Sequence, residues 1–180
     1  PIRPLLAGAG AALLVNALGG TLSGAWLAGI VFAFSGFLAG WRGRPQESTG
    51  IWLPLVLFAV DRLRRKDDLG TVLLAAAAGA LPILGGHPEV AFQMAVVVAA
   101  FAVFRLVSPG EGVSPDRGRA RYAGRLLLAG AGAAVLCLVQ LGPTLEWIRH
   151  IDRSLGGSWG HRSIRQIVGF LSRDARSNPN

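Results

Sequence analysis

Leu69 to Phe104, LGTVLLAAAAGALPILGGHPEVAFQMAVVVAAFAVF, is the stretch that decides the fold. It is apolar throughout except for one interruption, Gly85-Gly86-His87-Pro88-Glu89, which holds its only ionisable side chains. Each flank runs to roughly 15 residues, about 23 Å as a helix, enough to cross most of a hydrocarbon core. Arg62, Arg64, Arg65 and Lys66 stand before the stretch and Arg105 directly after it. Two apolar flanks, a Gly-Gly break between them and cations at both outer ends describe a transmembrane hairpin with a polar tip.

The rest of the chain fits that reading. Of the 180 residues, 52% are hydrophobic and 16% charged. Soluble domains carry about a quarter charged residues, so the balance here favours a membrane protein. The charges also cluster, leaving Leu5–Trp41 and Leu126–Leu145 without any. The net charge of +8 comes from arginines in short links between apolar runs. That is the pattern of cytoplasmic loops under the positive-inside rule, and it argues against nucleic acid as a partner. Cys137 stands alone inside an apolar run, which excludes a disulfide framework and makes it a small buried hydrophobe.

The fold class expected is all-α: a polytopic integral membrane protein of about six transmembrane or half-spanning helices, with a C-terminal amphipathic helix. Residues 1–153 form the membrane region, with spans near 5–18, 22–40, 51–61, 69–84, 89–106 and 125–142. The first two divide at Asn16–Thr21, where paired glycines favour a turn. Their recurrent small residues let helices approach closely in lipid. Trp41–Gly50 reads as a loop, with Trp41 and Trp52 as interfacial anchors. The segment 51–61 is short, and either crosses with its arginines snorkelling or is half-embedded. Ser108–Gly124 reads as a basic loop, and the last span ends at Gly142-Pro143.

Two spans separate Arg62–Lys66 from Ser108–Gly124, so both lie on one side. Positive-inside makes that side cytoplasmic and puts the His87 tip outside. Residues 154–180 form an extracytoplasmic segment, in which Ile164, Ile167, Val168 and Leu171 share one helical face. That helix either lies on the membrane surface or packs on a further domain. The chain, opening on Pro1, reads as an internal fragment of a longer protein, the remainder of which is then a partner.

Candidate chemistry gathers at the outer span ends. His87, Glu89 and Gln93 are spaced to line one polar cavity, although proline and an acid in a first turn also serve the helix itself. Glu146, Arg149 and His150 follow at i, i+3 and i+4, fit for an intrahelical ion pair or for an anion or sugar contact. Glu89 and Arg149 are expected to face a shared pocket, with Arg149 as the phosphate-binding cation. Gly43-Arg-Pro-Gln46 echoes Gly86-His-Pro-Glu89, each opening a helix. Asp61, Asp67 and Asp68 read as solvated charges among basic residues. No triad, zinc spacing, phosphate loop or dinucleotide fingerprint occurs, so neither metal nor cofactor is expected.

Four stretches, Phe34-Ser-Gly-Phe-Leu38, Ile51-Trp-Leu-Pro-Leu55, Gly86-His-Pro-Glu89 and Gln140-Leu-Gly-Pro-Thr-Leu-Glu146, follow in an order that resembles the bacterial YfhO-type membrane proteins. The resemblance runs from about Leu13 to Arg153. That family is similar in architecture to glycosyltransferases of the GT-C superfold. The resemblance implies a bacterial inner-membrane, cell-envelope enzyme that uses a lipid-linked, polyprenyl-phosphate sugar donor at the outer face. The catalytic acid of such enzymes lies in an early outer loop and has no matching position here, so the catalytic residues are unknown. The alternative is a non-enzymatic transporter or an assembly component of envelope polysaccharide. Membrane lipid is a partner under either reading.

Overall fold

The computed structural model describes the backbone of residues 2–108 and 115–150 and the side chains of 2–108 and 118–146. The amphipathic segment expected over Ile164–Leu171 lies outside the described residues. All regular structure among the described residues is helical: α1 (Ile2–Ala17), α2 (Leu22–Ala33), α3 (Gly36–Gly40), α4 (Pro45–Gly50), α5 (Leu53–Arg65), α6 (Leu69–Leu84), α7 (Pro88–Val107) and α8 (Pro115–His150). The chain divides into two compact units, Pro1–Leu141 and Gly142–Asn180. In the second, the described residues run only to His150.

Among the described residues, three helical stretches are long and apolar enough to cross a membrane: Leu22–Gly40, Pro88–Val107 and Gly118–Glu146. Only 22%, 11% and 11% of their apolar windows are buried within the protein. Trp26, Phe34, Phe92, Leu127 and Val139 are each at least two-thirds exposed. Apolar surface on that scale requires a hydrocarbon solvent or further protein to cover it. α1 and α6 are apolar but shorter.

Local chemistry explains the helix ends. Gly19, with φ +89°, turns the chain after α1. Thr21 Oγ1 then accepts the Gly24 N–H at 3.1 Å to start α2. The expected 22–40 span breaks at Phe34-Ser35, where Ser35 caps α3 through the Leu38 N–H. The expected loop 41–50 contains α4, opened by Pro45. Asp68 caps α6 twice, accepting from the Thr71 N–H and Oγ1–H at 2.8 Å each.

α8 departs most from the sequence reading. It begins at Pro115, inside the expected basic loop, and continues past Gly142-Pro143 to His150. Proline at a first position lacks an N–H that no helix bond needs. Pro143 costs one backbone bond and still sits within the helix.

The core of the first unit is built on α5. This helix packs against α1, α6 and α7. Ala59 and Leu63 are wholly buried, and Val56, Val60, Val72, Ala75, Ala78, Tyr122 and Ala129 complete the cluster. Its 13 residues span about 20 Å, short for a lipid-facing span, yet it is the most enclosed helix of the set. Trp52, expected as an interfacial anchor, is instead partly buried against two core clusters. α2 packs chiefly on α1, by backbone approach: a Cβ on Gly29 would stand 2.8 Å from the Gly8 carbonyl oxygen.

Candidate functional site

The polar groups collect at two opposite ends of the helices. At one end, the turn between α6 and α7 meets the segment that carries α4. Gly43 and Gly86 take φ of +78° and +84°, a left-handed conformation natural to glycine. Each is followed by an extended residue, Arg44 or His87, and then by a proline that opens a helix. The echo between the two sequences is therefore a local structural repeat. The two turns also lie together, since a Cβ on Gly85 would fall 2.8 Å from Thr49 Oγ1 and 3.0 Å from Thr49 Cα. Thr49 is fully buried, and its hydroxyl donates to the Pro45 carbonyl at 3.1 Å.

Glu47 anchors this end. Only 4% of it is exposed. Its Oε2 accepts the Gly43 N–H at 2.6 Å and Arg3 Nη1 at 3.1 Å, tying α1 to the α4 turn. The Gly43 hydrogen bond and then the Arg3 pair hold its carboxyl below the usual range, against the opposing effect of burial. The buried Gln46 Oε1 has no hydrogen-bond partner. Arg42 and Arg44 are exposed, and Arg44 lies 5.5 Å above the Trp41 ring.

The residues expected to form the site fall as follows. His87 is half-buried and caps α7, its Nδ1 accepting the Val90 N–H at 3.3 Å. In neutral imidazole that leaves Nε2–H as the free donor. Glu89 and Gln93 are exposed on the first two turns of α7. Glu146 is exposed on α8 in the second unit. The side chain of Arg149 lies outside the described residues, so the pocket joining it to Glu89 does too. Sequence reasoning missed Arg3, Glu47 and Thr49. Their signal was the repeat itself, which places Glu47 two residues after a helix-opening proline.

The opposite end is basic and corrects the expectation for Asp61. This residue is fully buried, not solvated. Its carboxylate pairs with Arg65 Nε at 2.7 Å and with Arg105 Nη2, joining α5 to α7. The expectation failed because hydropathy cannot tell which helix stands at the bundle's centre. Asp67, exposed as expected, pairs with Arg121 at 3.1 Å and with Arg125. Arg125 also donates to the Leu63 and Lys66 carbonyls at 3.0 and 2.8 Å, capping the end of α5. Arg64 reaches the Ser108 carbonyl at 2.8 Å. Asp68 is exposed, and its bonds to Thr71 hold its carboxyl below the ordinary value.

An apolar groove of about 670 Å³ runs along α1 and α2, from Pro4 and Phe34 to Asn16 and Leu22. Among the described residues, no group of three or more His, Cys, Asp or Glu side chains is placed to hold a metal. Comparison with protein families, with curated proteins and with solved structures finds no match to this chain.

Proposed function

We propose that this chain is the membrane part of a glycosyltransferase-like protein whose His87 end receives the phosphate and sugar of a lipid-linked donor. One observation carries the reading: the α4 turn and the Gly85–Glu89 turn meet at one end, beside helices with exposed apolar faces. Arg42 and Arg44 are exposed there, while the neighbouring carboxylate of Glu47 is committed to Gly43 and Arg3. Two such cations suit a phosphate, which charge-assisted hydrogen bonds recognise strongly. His87 Nε2–H, Glu89 and Gln93 offer mixed donors and acceptors to sugar hydroxyls. The resemblance to YfhO-type proteins supports the same class of ligand. On this reading all six apolar segments cross or partly cross the membrane, with α5 shielded in the middle.

A second reading, a non-enzymatic transporter or assembly component, is favoured by the state of Glu47. A carboxylate held ionised by a backbone N–H and an arginine is a poor proton donor. Within the first unit, that leaves Glu89 as an exposed acid at this end.

Binding of a polyprenyl-phosphate sugar to the full-length protein in nanodiscs, together with release of its sugar, tests both. Arg42→Ala/Arg44→Ala should weaken binding by roughly tenfold or more. Glu89→Gln should abolish turnover while leaving binding and membrane insertion intact. Wild-type binding in the double arginine variant overturns the phosphate site. Tight binding without any sugar release, in wild type as in Glu89→Gln, selects the non-enzymatic reading.

A further inference from the structure

The basic end carries a charge excess that its own carboxylates do not absorb. Asp61 is engaged by Arg65 and Arg105, and Asp67 by Arg121 and Arg125. Arg62 and Lys66 form no ion pair among the described residues, although Asp68 lies near enough to feel both. Arg62 is half-buried over the Phe58 ring, 5.9 Å from its centroid, and its buried Nε has no hydrogen-bond acceptor. The buried Nε is closed to an incoming ligand, whereas the terminal amines make no hydrogen bond or ion pair among the described residues and are the part of the fork left for an incoming oxygen.

The first turns of α6, which begin shortly after these cations, carry an exposed apolar face. Leu69 and Leu73 on α6 are 67% and 59% exposed and come three and seven residues after Lys66, beyond Asp67, which is paired with Arg121 and Arg125, and Asp68, which is bonded to Thr71. A free phosphate would have no use for that surface. An acyl chain would cover it.

We infer that Arg62 and Lys66 bind the phosphodiester of an anionic glycerophospholipid, whose acyl chains lie along Leu69 and Leu73. Arg62 supplies its terminal amines to the phosphate oxygens, and Lys66 supplies a mobile ammonium. The α5 dipole at this end opposes an anion, but that effect fades within the last turn, and the side chains carry full charges past it. The site is separate from the His87 end and does not depend on the reading given to that end.

The test is native mass spectrometry of the detergent-purified chain titrated with phosphatidylglycerol or with phosphatidylcholine. Wild type should retain phosphatidylglycerol with roughly tenfold preference, and Arg62→Gln/Lys66→Gln should bring the two lipids to parity. Arg62→Lys should recover part of the preference. Unchanged helicity by circular dichroism would show that the double variant still folds, and lipid retained by folded Arg62→Gln alone reads the site if it does not. Equal retention of both lipids by wild type overturns the inference. So does a preference lost only in Arg42→Gln/Arg44→Gln, which would place the lipid phosphate at the opposite end. Displacement by inorganic phosphate but not by chloride of equal ionic strength would identify a soluble-anion site and also overturn it.

Discussion

Asp61 is the residue on which the interior of the bundle turns. Its carboxylate has no solvent exposure and meets two arginines that are not equivalent. The Arg65 side chain is half exposed, and that of Arg105 only 17% exposed. Exposed pairs contribute about 0–1 kcal/mol, whereas removing one partner of a buried pair strands the other charge and costs about 3–5 kcal/mol. Arg65→Ala should therefore lower unfolding stability in detergent by less than about 1 kcal/mol, and Arg105→Ala by about 3 kcal/mol. Asp61→Asn should resemble Arg105→Ala, and combining the two should cost far less than their sum, because neither charge is then left alone. Additive losses in the thermal unfolding of the double variant would show that the pair does not join α5 to α7.

At the scale of elements, the glycines separate into those that permit an approach and those that only fill a helix. Gly29 and Gly8 bring two backbones together, with the hypothetical Gly29 Cβ 2.8 Å from a carbonyl oxygen that cannot swing aside. Gly29→Val should push α2 off α1 and destabilise the protein by about 1–3 kcal/mol. Gly130 on α8 meets nothing within 4 Å of its own hypothetical Cβ. Gly130→Ala should be neutral or stabilising by up to about 1 kcal/mol, since alanine is the better helix former. Unfolding midpoints of the two variants in one detergent check both signs. Similar midpoints would mean that the α1–α2 contact contributes nothing. α5 shows the complementary rule: enclosed by α1, α6 and α7, it tolerates 13 residues and a buried carboxylate that a lipid-facing helix would not.

At the scale of the whole first unit, the helices sort the charges to opposite ends. Arg64 and Ser108 meet at one end, and Thr49 and Gly85 at the other. With the basic end in the cytoplasm, as the positive-inside rule expects, Glu89 faces outward and Arg119 inward. Both are exposed, and the one native cysteine, Cys137, is fully buried. An impermeant thiol reagent added to intact cells should label Glu89→Cys, and should label Arg119→Cys only after permeabilisation. Labelling of Arg119→Cys in intact cells would invert the topology.

The sequence by itself determined the all-helical class, the presence of helices apolar and long enough to cross a membrane, the Gly85–Glu89 break and the starts of α2, α6 and α7. Apolar run length, Gly-Gly breaks, prolines and capping side chains act over a few residues, so they can be read locally. The repeat that joins residues 43–46 to 86–89 was legible for the same reason. Only the tertiary structure decided which helix is central, that Asp61 is a buried partner of Arg105, and that Glu47 fastens Arg3 to the α4 turn. Hydropathy measures how well a segment tolerates an apolar solvent, and a helix shielded by its neighbours is released from that requirement. Charges 44 residues apart, as in Arg3–Glu47 and Asp61–Arg105, become partners only once the chain has folded back on itself.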